Sequence, residues 1–215
     1  MQDLDLLTDI GEELFEYTMP YRQLMMRYNC AMLEVKTKLD VLSSQLSVEN
    51  ESNPFESIHC RIKTPKSVVQ KLKRTGLPVT LKSIEENLND VAGIRVICSF
   101  VDDIYTLSDK LCSQDDIRVI KVKDYIKNPK PNGYRSLHLI LEIPIFLLEE
   151  KKYMRVEVQF RTIAMDFWAS LEHKVKYKKE IIDNESISAE LKNCADEINS
   201  LDMRMQEIKR KIDYC

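Results

Sequence analysis

The run Val156-Glu157-Val158-Gln159-Phe160-Arg161 alternates apolar and polar residues without a break. At a period of two it places Val156, Val158 and Phe160 on one face of a β-strand and Glu157, Gln159 and Arg161 on the other. A strand that is merely half-buried shows miscellaneous polar residues on its wet side. Here that side carries a carboxylate, an amide and a guanidinium in a row. A helix loaded with Asp166, Phe167, Trp168, Glu172 and His173 follows at once.

The rest of the chain frames this strand. Beyond Pro20, the residues Leu24, Tyr28, Ala31, Val35, Leu39, Leu42 and Leu46 recur at helical spacing and form one apolar stripe. Residues 50–54 read as a loop. Ile58, Cys60 and Ile62 then alternate with His59, Arg61 and Lys63, which gives a short strand with a basic face. Thr64-Pro65 signals a helix start and Gly76 its end. A short helix at 81–89, a buried strand at 91–100, a helix at 102–113 and a strand at 117–122 come next. Two prolines and a glycine make 127–133 a loop. Strands are expected at 136–143 and 153–161, joined by a connection that holds Pro144, and a helix at 162–179. The last segment keeps Ile187, Leu191, Cys194, Ile198, Leu201, Met205, Ile208 and Ile212 in steps of four and three. Such a seam packs against another helix, its own chain's or a second copy's. This order predicts an α/β (α+β) fold with a mixed sheet flanked by helices. It divides into a helical extension over 1–50, a core domain over 51–180 and a heptad helix over 181–215.

Composition excludes more than it selects. A formal net charge of -3 gives no whole-chain attraction to DNA or to a membrane surface, and RNA binding is not indicated by it either. Any anion site must therefore be local. No apolar run approaches membrane-spanning length, and the acidic first twenty residues lack the basic-then-apolar pattern of a signal peptide. The six cysteines form no CxxC pair and no metal-type cluster, as expected of reduced thiols in a cytoplasmic protein.

Three further stretches carry chemistry. Arg61 and Lys63 share one strand face, and Ser67, Lys71 and Arg74 follow at i, i+4 and i+7 on the next helix, where a helix N-terminus favours phosphate. A solvated cationic face would show the same spacing. In Asp90-Val91-Ala92-Gly93-Ile94-Arg95, the aspartate stands at the mouth of an apolar strand, glycine permits close backbone approach and Arg95 projects from the strand. Asp90 with Glu157 would give the two carboxylates that a hard divalent cation such as magnesium needs when it also binds substrate phosphate. In the segment 130–138, Tyr134 could stack on a base while Lys130 and His138 reach phosphates; a tight turn with a half-buried tyrosine is the plainer alternative. Phe167 and Trp168 are expected in the core, and Glu172 and His173 at the end of a hydrogen-bond network. Asp166 could accept from both N1–H and the N2 amine of guanine.

The motifs Arg61-x-Lys63, Asp90-Val-Ala-Gly93-Ile-Arg95, Gly133-Tyr134-Arg135-Ser136-Leu-His138 and Glu157-Val-Gln159-Phe-Arg161-Thr162 together resemble the RelA/SpoT-type (p)ppGpp synthetase domain in content and order. The stretch 165–174 resembles the small alarmone synthetases, the RelP branch more than the RelQ branch. The resemblance covers about 57–179. It implies a nucleotidyltransferase-like mixed sheet, a magnesium ion, and transfer of pyrophosphate from ATP to the 3′-hydroxyl of GDP or GTP with release of AMP. Carried over residue by residue, it implies that Asp90 and Glu157 hold the metal and that Glu157 takes the proton of the attacking hydroxyl. Arg61 and Arg95 would sandwich adenine, and Lys63, Ser67 and Lys71 would bind ATP phosphates. Tyr134 would stack on guanine, Lys130 and His138 would contact the acceptor's phosphates, and Gln159, Arg161 and Glu172 would support them. The long relatives' hydrolase and ribosome-sensing modules have no counterpart in the sequence, so synthesis without hydrolysis is expected. Small members assemble as tetramers through helices, which gives the heptad a use. Two other readings stand beside this one: a related transferase acting on adenosine nucleotides or the tRNA 3′ end, and a non-catalytic nucleotide-binding scaffold.

Overall fold

The computed structural model describes residues 18–49, 53–177 and 184–213. Helix α1 (Met19–Glu49) buries Tyr21, Leu24, Tyr28, Ala31, Met32, Val35 and Leu39; the stripe read from the sequence gains Tyr21 and Met32, while its last members, Leu42 and Leu46, are only partly buried. It lies across one face of a five-stranded sheet made of β1 (Phe55–Ile62), β2 (Ala92–Cys98), β3 (Arg118–Asp124), β4 (Leu137–Phe146) and β5 (Lys151–Thr162). Between them come α2 (Pro65–Arg74), α3 (Leu81–Asn87) and α4 (Val101–Cys112), and after β5 come α5 (Ile163–Tyr177) and α6 (Asn184–Asp213). The expected end of the helix at 162–179 lies outside the described residues, as does most of the 50–54 loop.

Strand order is β1-β2-β5-β4-β3, with β2 parallel to β5 and every other pair antiparallel. Each strand separates its two faces at a period of two. Ile94, Val96 and Cys98 join Leu137, Leu139, Leu141, Val156, Val158 and Phe160 in the main core. The opposite face carries the polar set. Arg61 pairs with Gly93, Gly93 with Glu157, Arg95 with Gln159, and His138 with Gln159, so four strands present their functional residues to one side. Burial on the apolar side fixes the register, because a slip by one residue would turn these charges into the core.

Local signals explain the ends of α2. Thr64 Oγ1 accepts from the Ser67 amide at 3.3 Å, Pro65 opens the helix, and Gly76 takes φ +69° two residues past it.

Three expectations need correction. Pro144 lies inside β4, paired with Tyr153, and not in a connection. The β3 pairing stops at Glu142, so the missing N–H of Pro144 faces no partner strand. Phe167 is exposed, whereas Trp168 is buried as expected. The heptad seam does not act as one face. Leu191 and Ile198 turn inward, packed beside Ala195, and the inner line continues with buried Asp202 and Gln206. Leu201, Met205, Ile208 and Ile212 stay exposed. Cys30, Cys60, Cys98, Cys112 and Cys194 are free thiols; Cys98 is buried, while Cys60 and Cys194 are exposed.

Candidate active site

The polar sheet face forms a cleft of ≈ 220 Å³ floored by Gly93 and bordered by His59, Arg61, Arg95, Glu157 and Gln159. A Cβ on Gly93 would lie 3.7 Å from the Arg61 side chain, ordinary contact, so this glycine relieves no clash within the protein. It leaves the cleft floor bare between Arg61 and Glu157.

At one end stands Asp90, just ahead of β2. Lys63 Nζ lies 3.0 Å from its Oδ2 and Lys71 Nζ 2.7 Å from its Oδ1. Each oxygen of this partly buried carboxylate thus faces one ammonium group. Burial pushes the Asp90 carboxyl up, but Lys71 and Lys63 outweigh it and hold it below the usual carboxylate range. The β1 strand and the helix after it thus deliver two ammonium groups to one carboxylate. Ser67 bonds back to Thr64 through its hydroxyl at 2.8 Å.

Glu157, buried on β5, accepts from Gln159 Nε2 at 2.8 Å and lies 3.2 Å from His138 Nδ1. Burial raises its pKa, yet the bond to His138, the His138 charge and the Gln159 bond leave it lowered overall, while Asp90 pushes it upward.

The contacts continue into a closed circuit. His138 Nε2 is 2.9 Å from Tyr134 Oη, which accepts from Arg161 Nη2 at 2.8 Å; Arg161 Nη2 also donates to Gln159 Oε1 at 3.2 Å. The donor and acceptor roles in the Tyr134 Oη–His138 Nε2 and His138 Nδ1–Glu157 contacts follow the imidazole tautomer. Five side chains from β4, β5 and the 130–136 loop are therefore locked to one another.

Arg161 is buried and is the hub. Its Nη1 donates to Asp166 Oδ1 at 2.8 Å, and Arg95 Nη1 reaches the same oxygen at 3.3 Å. Both pairs use Oδ1 of Asp166. Burial, then the Arg161 charge, lower the Arg95 pKa. The buried Nε atoms of Arg95 and Arg161 have no acceptor among the described residues. Crowded guanidiniums with unsatisfied N–H groups on an open cleft are what a multiply charged anion would satisfy.

The loop before β4 supplies the other end. Lys130 Nζ sits 4.6 Å from the Tyr134 ring centre and 4.8 Å from that of Tyr125. Burial and the charge of Lys123 hold Lys130 below the ordinary lysine range. Asn132 Nδ2 donates to Glu172 Oε1 at 3.1 Å, so Glu172 ties α5 to this loop. Sequence reasoning missed His59, which lines the cleft, and Tyr125, whose ring meets Tyr134 and His138 edge-on at 6.1 and 5.3 Å. The alternation that marked Arg61 also holds for His59; no local pattern marks Tyr125.

Residues 60–182 match the family described as a region found in RelA / SpoT proteins. The chain belongs to the RelA/SpoT family. Among its relatives is GTP pyrophosphokinase YwaC of Bacillus subtilis, 41% identical over 98% of this chain and 100% of that protein. Another is GTP pyrophosphokinase YjbM of the same organism, 34% identical over 91% of this chain and 88% of its own. The crystal structure of small alarmone synthetase 1 from Bacillus subtilis bound to its product pppGpp superposes with a TM-score of 0.83 at 33% identity, covering 91% of this chain and 99% of that one. The five-stranded mixed sheet with flanking helices is the fold of these small alarmone synthetases.

Proposed function

We propose that this chain is a GTP/GDP 3′-pyrophosphokinase that makes (p)ppGpp from ATP and a guanosine nucleotide. One observation carries the reading: the carboxylate Glu157 borders a cleft together with Arg61 and Arg95, and a second carboxylate, Asp90, held by Lys63 and Lys71, stands just ahead of the strand that floors it. The reaction forms a bond between the acceptor's 3′-oxygen and the β-phosphorus of ATP. It breaks the bond from that phosphorus to the α–β bridging oxygen, which leaves with AMP. The proton of the 3′-hydroxyl goes to Glu157. Most of the rate enhancement in such a transfer comes from positioning and charge neutralisation.

Lys63 and Lys71 at Asp90 mark the donor end. We assign them, with Ser67, to the ATP phosphates, and Arg61 and Arg95 to the two faces of adenine. Tyr134, Lys130, His138 and Asp166 form the acceptor end: Tyr134 for stacking on guanine, Lys130 and His138 for phosphates. Asp166 would read guanine with Oδ2, since its Oδ1 holds Arg161 and Arg95. Gln159, Arg161 and Glu172 keep these groups in place.

Magnesium suits the acidic pair. Among the described residues no three His, Cys, Asp or Glu side chains gather as a metal cage. Magnesium, however, usually takes one or two carboxylates and completes its shell with substrate phosphates and water. Asp90 and Glu157 would be those carboxylates, with Asp90 giving up a lysine contact to the ion. When bound, the ion would draw charge off the triphosphate during transfer.

Outward apolar side chains on α6 (Leu201, Met205, Ile208, Ile212) and α1 (Met19, Met26, Leu33, Val41) favour assembly of copies through these helices, as a homotetramer. No described helix is long and apolar enough to cross a membrane. We assign the enzyme to the cytoplasm, where its nucleotide substrates are, with residues 51–180 as the catalytic unit.

An acceptor competition tests the reading. Purified protein with ATP, magnesium and equal GTP, adenosine nucleotide and tRNA should release AMP and pyrophosphorylate the guanosine nucleotide first. Preference for tRNA or adenosine nucleotide would overturn it.

A further inference from the structure

Helix α6 touches the acceptor end of the cleft at four separate points. Gly133, in the acceptor loop, takes φ +85°, and a Cβ there would lie 2.4 Å from Ala195 Cβ, so loop backbone rests directly on the helix. Arg135, two residues on, pairs with Asp196 at 3.5 Å. Trp168 Nε1 donates to the Leu191 carbonyl at 2.9 Å, and Tyr134 packs against the Trp168–Ala195 cluster. Thr162 Oγ1 donates to Asp202 Oδ2 at 2.6 Å while accepting from the Met165 amide at 3.1 Å. That hydroxyl caps the first turn of α5, the turn that carries Asp166, and it follows directly on the hub residue Arg161.

The donor end has no such tie. Among the described residues, no hydrogen bond or ion pair of α6 reaches Arg61, Lys63, Ser67, Lys71 or Arg95. The far half of the helix is anchored elsewhere. Gln206 accepts from the Asp102 amide at 3.0 Å, and Arg210 grips the Asp102 carboxylate at 2.8 and 2.9 Å, which seats α6 on the start of α4.

Asp202 is the costly member of this set. It is buried, and among the described residues its one hydrogen-bond partner is Thr162. A buried carboxylate with a single donor stabilises a fold less than a neutral or apolar residue of its size would. Burial accordingly raises its pKa. Its value lies in geometry, because a short hydroxyl–carboxylate bond is directional and strong.

We propose that Asp202 is a positioning residue for guanosine-nucleotide binding: through Thr162 it fixes the β5–α5 junction, and with it α6 clamps the acceptor loop directly while reaching the ATP end indirectly, through the Asp166–Arg95 pair. The proposal rests on the assignment of Tyr134, Lys130 and Asp166 to the acceptor.

The test separates the two substrates. Steady-state KM for GTP and for ATP is measured on Asp202→Ala and Asp202→Leu, each assayed well below its own unfolding midpoint; leucine fills the space without offering an acceptor. At least a fivefold rise in KM for GTP is expected in both, with KM for ATP within twofold of the parent. Asp202→Asn keeps an oxygen for the Thr162 hydroxyl and should restore the KM for GTP. Equal rises for both substrates, no rise at all, or an asparagine variant as impaired as alanine would each overturn the clamp. A parent enzyme that releases no AMP from ATP with any guanosine nucleotide would instead overturn the underlying functional assignment.

Discussion

Tyr134 does two jobs that can be separated by one oxygen atom. Its ring offers a stacking face, and its hydroxyl joins Arg161 at 2.8 Å to His138 at 2.9 Å, next to Glu157. Tyr134→Phe keeps the face and opens the circuit. KM for the acceptor should stay within about twofold, while kcat falls about tenfold, or about 1.4 kcal/mol, the order of one hydrogen bond to a charged group. An unchanged kcat would remove the circuit from the account. Lys130 gives a pH prediction. Its ammonium must be charged to hold phosphate, and a lowered pKa means the charge is lost at lower pH than in an ordinary lysine, whose value is about 10.4. KM for the acceptor should therefore start to rise on the alkaline side below that value. Lys123→Gln, which removes one depressing charge, should move the rise upward; a shift downward contradicts the assignment. Strand residues of this site were legible in the sequence where alternation decides which side each faces, as it did for Arg61 and Glu157. Tyr125 and Asp202 were not, since β3–β4 pairing and helix docking bring them in from outside any local pattern.

Helix α6 shows where element-level reading reaches its limit. A strict seven-residue repeat has a period of 3.5, whereas a straight α-helix has 3.6, so the buried line drifts off the seam. The inner line therefore runs through Leu191, Ala195, Ile198, Asp202 and Gln206, and its last two members are polar. An apolar repeat could not announce them. Pro144 misled in a similar way: a proline argues against a central strand, but the far half of β4 borders β5 alone. Helix boundaries did better, because Thr64, Pro65 and Gly76 act through backbone geometry that any context preserves. Where α6 meets the acceptor loop, Gly133→Ala should be destabilising by roughly 2–4 kcal/mol, from positive-φ strain plus overpacking against Ala195. Urea midpoints would read this. Adding Ala195→Gly should recover the overpacking part only; full recovery, or no loss in the single variant, would contradict the contact.

At the scale of the molecule, the sheet divides the chain into a core side under α1 and α4 and an open side that holds the charged residues of the cleft. The division itself was legible from the alternation in β1 and β5; the way α1 and α6 share their apolar residues between the core and the outside was not. Their outward side chains are large and exposed, Leu201 at 58% and Ile212 at 68%. Leu201→Glu with Ile208→Glu should lower the particle mass seen by light scattering below four chains, and an unaltered mass would rule out that face of α6 as an interface. The central claim is that Asp90 and Glu157 jointly serve transfer of a pyrophosphoryl group. It is tested most directly with ATP labelled at its β-phosphorus, GTP and magnesium. The label should appear on the 3′-position of the guanosine nucleotide, one equivalent for each AMP released, and vanish from that position in Asp90→Asn and in Glu157→Gln. Label found in free phosphate or at the 5′-end, or transfer that survives loss of either carboxylate, would contradict the account.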